Sequence, residues 1–109
     1  MNNLTIIGNL TGDPELRTTT QGKEVCSFNV AVNRRTGTEG TDFFKVSAWG
    51  EKGKVCKKYL SKGKKVCVTG SVSARGYTNS RGEPAASLEV MADEVEFLSP
   101  RGGQDELPV

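Results

Sequence analysis

Two segments of this chain carry flat rings and fixed cations on the same side of an alternating pattern. From Asp42 to Trp49 every second residue gives Phe43, Lys45, Ser47 and Trp49 on one side, against Phe44, Val46 and Ala48 on the other. From Lys65 to Tyr77 the same period sends Cys67, Thr69, Ser71, Ser73, Arg75 and Tyr77 outward, with Val66, Val68, Gly70, Val72 and Ala74 inward. An unpaired nucleic-acid strand offers phosphates and open base faces. A general binder therefore needs cations and rings, and can do without a code for base edges. Phe43, Trp49 and Tyr77 are the candidate stacking platforms; Lys45, Arg34, Arg35 and Arg75 are the candidate phosphate contacts. The plainer reading places rings in the core and cations on a solvated face. Phe28, Phe44 and Phe97 are assigned to the core on that ground. For the other three rings the alternation argues against it, although Trp49 ends its segment and could pack beneath a loop.

Catalytic chemistry finds no foothold. The chain has no histidine for a triad or a general base, no phosphate-binding G-x-x-x-x-G-K-[ST] loop, no G-x-G-x-x-G and no C-x5-R loop. Asp13 and Glu15 flank Pro14 in an expected turn, where capping or solvation accounts for them. Cys26, Cys56 and Cys67 are odd in number and lack C-x-x-C spacing, so they are expected to be buried free thiols in a reducing compartment. Zinc, other metals and cofactors are not expected.

The net charge of +2 conceals an asymmetry. Residues 45 to 65 hold eight lysines against the single acid Glu51, whereas Asp93, Glu94, Glu96, Asp105 and Glu106 face only Arg101 between residues 93 and 106. A basic body with an acidic end suits a polyanionic partner, and a lysine-rich stretch equally suits a solvated face. At 109 residues the chain fits one domain. No apolar run approaches membrane-spanning length and no targeting signal precedes the first strand, so a cytoplasmic protein with no membrane partner is expected.

The elements that must position these residues follow from periodicity and turn chemistry. Strands are expected at Leu4–Leu10, Val25–Asn33, Asp42–Trp49, Lys65–Tyr77 and Ala85–Leu98, the last two joined by a turn at Asn79-Ser80-Arg81-Gly82. A change of phase at Asp93-Glu94 predicts a bulge or corner. Between the third and fourth strands, Glu51–Leu60 reads as a helix with Val55, Cys56, Tyr59 and Leu60 inward, Lys54, Lys57 and Lys58 outward, and Gly63 as its stop. This order predicts an all-β, five-stranded Greek-key barrel of the oligonucleotide-binding (OB) class with one short helix, covering residues 1–100. Residues 101–109 are expected to form a short, flexible acidic tail.

Over nearly its whole length the sequence resembles the bacterial and phage single-stranded DNA-binding protein family. The resemblance rests on the opening strand with Gly8-Asn9-Leu10 followed by Asp13-Pro14-Glu15-Leu16-Arg17. It extends through Phe28 to Arg35, Thr41 to Val46, Trp49-Gly50, Tyr59 to Gly63, and Val68-Thr69-Gly70. It implies an OB barrel, usually a homotetramer, that wraps single strands in replication, recombination and repair, in the cytoplasm or nucleoid of a bacterium or encoded by a phage. The family's stacking positions fall on Phe43, Trp49 and Tyr77. Two departures stand out. Thr36 occupies a position after Asn33-Arg34-Arg35 that is commonly aromatic, and Val109 replaces the phenylalanine that usually ends the acidic tip. The resemblance assigns partner docking to Asp105, Glu106, Leu107, Pro108 and Val109. Two alternatives share the barrel: a primosomal accessory subunit, typically dimeric, and an adaptor that recruits replication proteins chiefly through its tail.

Overall fold

Strands with one apolar side can bury it only by curling around a common core, and this chain does so almost completely. In the computed structural model, which describes residues 1–34 and 40–99, the elements are β1 (Leu4–Leu10), β2 (Glu15–Thr18), β3 (Glu24–Asn33), β4 (Thr41–Trp49), α1 (Glu51–Tyr59), β5 (Lys65–Thr78) and β6 (Pro84–Phe97). Five strands close a ring. β1 pairs antiparallel with β5, β5 with β6, β6 runs parallel to β4, β4 pairs antiparallel with β3, and β3 returns to β1 at Asn9↔Ala31 and Leu10↔Val30. Closure brings the two backbones together at Gly8, where any Cβ would collide with the carbonyl oxygen of Ala31. Only glycine permits that approach.

The alternation read from the sequence sets the core. Ile6, Leu10, Cys26, Phe28, Val30, Val46, Ala48, Val66, Val68, Val90 and Ala92 are buried inside the ring, and Cys56 and Leu60 close one end of it. Phe44 and Phe97 are partly buried and pack against this cluster. The expected bulge is present: Thr69 pairs with Glu94 and Gly70 with Ala92, which leaves Asp93 as the extra residue.

Several expectations are corrected. Glu15 does not lie in a turn but begins the short strand β2, which adds to the edge of β3 through Glu15↔Ser27 and Thr18↔Glu24. Its four residues place only Leu16 against the core, too few to show an apolar period. In α1 the buried positions are Gly53 and Cys56, followed by Leu60 just past the helix, while Val55 and Tyr59 are exposed. The helix rotates because Gly53 has no side chain: a Cβ there would strike Ala48 O and come within 3.1 Å of Cys26 N. The backbone thus packs directly on the barrel floor. Lys57, expected in solvent, reaches back to donate to Pro14 O at 2.9 Å. Gly63 does not stop the helix. Leu60 already turns extended, with its N–H donating to Cys56 O, and Gly63 adopts φ 91° in the following turn.

β5 and β6 continue past the ring as a two-stranded arm. Val72 is therefore only half-buried and Ala74, expected inward, is exposed. The arm's tip is the turn foreseen at Asn79–Gly82: Asn79 Oδ1 accepts from the N–H of Arg81 at 2.9 Å and of Glu83 at 3.0 Å, with Gly82 at φ 78°. Cys26 and Cys56 are buried free thiols as expected, but Cys67 is half-buried, because it lies on the outer side of β5. Burial raises the Cys26 thiol and pushes the Cys56 thiol up to about 12.

Candidate nucleic-acid interface

The register of four neighbouring strands lays out the outer face of the ring. β4 presents Phe43, Lys45, Ser47 and Trp49 outward, and β3 places Ala31, Asn29, Ser27 and Val25 opposite them in that order. On the other side of β4, Glu89 lies across from Lys45 and Met91 across from Ser47. β5 then sets Ser73 against Glu89, Ser71 against Met91, Arg75 against Ser87 and Tyr77 against Ala85. The result is a floor of small polar residues with rings and cations standing on it.

Phe43, Lys45 and Tyr77 come together. They line one open groove of about 540 Å³ with Thr11, Asn29, Ala86, Ser87 and Leu88. Phe43 is 61 % exposed and Tyr77 50 %, so both keep ring faces in water beside a cation. The arm makes this possible by carrying Tyr77, opposite Ala85, past Phe44↔Leu88, where the β4–β6 pairing begins. Lys45 also lines a second hollow with Thr11, Asp13, Glu15, Ser27 and Asn29, which extends the path toward β2.

Trp49 stands apart. Six residues along an extended strand separate it from Phe43 by about 20 Å, and it borders two other hollows. One is a shallow trough with Asn2, Ser47, Ser71, Ser73, Glu89 and Met91; the other is lined by Gly22, Lys23, Glu24, Gly50, Glu51 and Lys54. Trp49 is 39 % exposed, so it is not sealed beneath a loop. Asn2 fixes the trough's edge, because its carboxamide donates to Val72 O at 2.7 Å and accepts from Val72 N at 3.0 Å. The side chain there copies a peptide group and extends the β1–β5 ladder.

The cations differ in availability. Arg75 is 73 % exposed, with Nε 3.5 Å from Glu89. Arg34, at the end of β3, is held 3.0 Å from Asp42. Arg35 lies outside the described residues, as do Thr36 and the tail residues Asp105, Glu106, Leu107, Pro108 and Val109. Beside Trp49, Lys54 is tied to Glu24 at 3.0 Å and Glu51 at 3.2 Å, and hydrogen bonds to those carboxylates raise its pKa. Sequence reasoning overlooked Thr11, Asn29 and Glu89 as parts of this face. Asn29 was legible from its outward phase, whereas Thr11 and Glu89 arrive only through pairing. Among the described residues, no group of three histidine, cysteine or acidic side chains is placed to hold a metal ion, and no helix is long and apolar enough to cross a membrane.

A five-stranded ring closed by one parallel pairing, with a helix at its end and exposed rings along one face, defines an OB-type fold with a surface suited to an extended ligand. The family model described as "Single-strand binding protein family" matches residues 1–98. The chain is 38 % identical to a single-stranded DNA-binding protein of Halalkalibacterium halodurans over 110 residues, covering 97 % of this chain and 66 % of that protein. A single-stranded DNA-binding protein of Staphylococcus aureus strain N315 is 39 % identical over 109 residues, with 96 % and 70 % covered. One of Caldanaerobacter subterraneus subsp. tengcongensis is 38 % identical over 107 residues, with 94 % and 71 % covered. The chain thus spans about two thirds of the length of these relatives and belongs to the single-strand binding protein family. The helix expected between the third and fourth strands of the five-stranded fold is α1, between β4 and β5 once β2 is counted.

Proposed function

We propose that this chain binds single-stranded DNA without strong sequence preference, along the face that runs from Tyr77 and Phe43 past Lys45 to Trp49. The observation that carries the reading is the single open groove lined by two exposed rings, Phe43 and Tyr77, together with Lys45. Bases stack on the rings while Lys45, Arg75, Arg34 and Arg35 neutralise phosphates. The names of the relatives support the same ligand. The work is binding rather than turnover: the chain protects and organises unpaired strands in replication, recombination and repair, in the cytoplasm. The domain spans residues 1–100 and acts in a homo-oligomer, a tetramer. Residues 101–109 form a tail that recruits replication and repair proteins through Asp105, Glu106, Leu107, Pro108 and Val109.

Titration of Trp49 fluorescence, the signal of the single tryptophan in the chain, with oligo-dT and with duplex of equal length tests the reading. Quenching and tight binding are expected with the single strand, because duplex bases are already stacked on one another. Affinity falls with added salt, with a log–log slope of about −0.7 per phosphate neutralised. Equal affinity for duplex and single strand would overturn the assignment. Sedimentation alone and with oligo-dT of increasing length reports the assembly and the site size.

A further inference from the structure

One acid stands in the central rows of this face. In the three rows formed by Ala31, Phe43, Ser87 and Arg75, by Asn29, Lys45, Glu89 and Ser73, and by Ser27, Ser47, Met91 and Ser71, Glu89 is the one carboxylate. It lies directly opposite Lys45 on the parallel β4–β6 pair, and its Oε2 is 3.5 Å from Nε of Arg75. It therefore stands between two of the cations assigned to phosphate. The Glu89 side chain is 30 % exposed and Arg75 73 %, so water reaches the pair chiefly from the Arg75 side and screens it. A negative charge here adds little to stability and works against any phosphate that approaches the row.

We propose that Glu89 is a counter-charge that limits the affinity of the face: it occupies Arg75 until a strand displaces it, and it repels phosphate beside Lys45. This inference rests on the reading of the face as a DNA-binding surface. The physical consequence is an exchange at each binding event. Arg75 leaves a carboxylate for a phosphate, so its gain is small, and the carboxylate left behind faces the polyanion. A face built this way grips less tightly than its rings and cations alone would allow. A protein that must be removed from DNA by the next enzyme gains a faster release from the same residue, because affinity differences within one interface reside mostly in the off-rate.

The test compares the native protein with Glu89→Gln, Arg75→Gln and the double variant, by Trp49 titration with oligo-dT at several salt concentrations and by thermal melting. Glu89→Gln keeps the size of the side chain and removes its charge. It is expected to bind about three- to tenfold tighter at low salt, because Arg75 no longer gives up a carboxylate to reach a phosphate and no carboxylate charge is left facing the strand. The gain shrinks at high salt through screening. Arg75→Gln costs less than about twofold in the native background and cancels most of the gain in the Glu89→Gln background, a coupling that a purely structural role would not produce. Glu89→Ser, which matches the neighbouring serines, repeats the measurement with a second side chain. Native binding together with equal or weaker binding by both Glu89 variants overturns this inference alone, as does an Arg75→Gln cost that is the same in both backgrounds. A native protein that shows no affinity for oligo-dT overturns the functional reading and this one with it.

Discussion

Phe43 and Phe44 are adjacent and chemically identical, yet β4 turns them to opposite sides of the ring, so their alanine variants fail in different ways. Phe44 is partly buried against the core and pairs with Val30 on one side and Leu88 on the other. A fully buried phenylalanine costs about 3–5 kcal/mol on truncation. The water that Phe44 already sees reduces that figure to about 2–4 kcal/mol, which is about 10–25 °C in melting temperature for a domain of this size. Phe43 is 61 % exposed. The fraction of its ring area that is hidden amounts to about 1 kcal/mol, only a few degrees. Its loss falls instead on DNA. Stacking on aromatic side chains of single-strand binders, this family included, is worth about 1–3 kcal/mol per base, or about 5- to 150-fold in Kd. Thermal melts with both variants, followed by oligo-dT titration at a salt concentration where both are folded, separate the two. Phe44→Ala should melt early and, once folded, retain most of its affinity. Phe43→Ala should melt nearly like the native protein and bind poorly. The opposite pattern would mean that the β4 register is shifted by one residue, and Lys45 and Trp49 would leave the face with Phe43.

Gly53→Ala should destabilise the protein by about 1–3 kcal/mol, although alanine favours an isolated helix by about 1 kcal/mol, because the added methyl collides with Ala48 O and crowds Cys26; a rise in melting temperature would contradict the packing of α1. With dithionitrobenzoate at pH 8, the half-buried Cys67 should react rapidly and Cys26 and Cys56 only on unfolding, so three fast equivalents would contradict the core assignment. The folded Cys56 holds its proton up to about 12, whereas the unfolded thiol loses it near 9. The native state therefore binds more protons across that window, and stability falls as pH rises from 9 to 12, by up to about 1.4 kcal/mol per pH unit; a Cys56→Ala variant should lose that part of the alkaline slope. Removal of residues 105–109 should leave oligo-dT affinity equal or slightly higher, since an acidic segment competes with DNA for cations, and should abolish partner recovery if the tail docks partners.

The barrel strands were legible because a closed ring has one dry side, and a dry side imposes period two on any strand that forms it. Cys26, Phe28 and Val30, then Phe44, Val46 and Ala48, announce themselves for that reason. The bulge at Asp93 was legible as a break in the same rhythm. What escaped has equally physical causes. β2 is only four residues long and gives the core a single side chain, Leu16, so Glu15 to Thr18 carry no apolar period. The helix was read by its large side chains, but α1 packs through the missing side chain of Gly53, and no scale of hydrophobicity reports an absence. The inward phase continued through Val72 and Ala74 while the core it pointed to had ended, because periodicity does not say where a strand leaves the ring. In the candidate site, phase alone turned Phe43, Lys45 and Tyr77 outward on two separate strands, whereas their shared groove and the 3.5 Å approach of Glu89 to Arg75 depend on strand pairing and are invisible in one dimension.

On the proposed reading, the arrangement of the face would let the chain accept any base sequence yet prefer single strands to duplex. The floor is built mainly from the serines Ser27, Ser47, Ser71 and Ser73, short side chains that leave room for any base and whose single hydroxyls present no bidentate pattern to a particular one. Phe43 and Trp49 stand on β4, paired with β3 along its length, and Tyr77 stands on the β5–β6 arm, so the rings sit on hydrogen-bonded strands and lose less freedom than loop residues would when a base arrives. Because Phe43 and Tyr77 flank one groove while Trp49 lies about 20 Å farther along β4, a strand must extend over several nucleotides to use all three. That length dependence separates this mode from a pocket for a single nucleotide. Affinity for oligo-dT should climb with length until a strand reaches from Tyr77 to Trp49, and only strands beyond that length should quench the tryptophan fully.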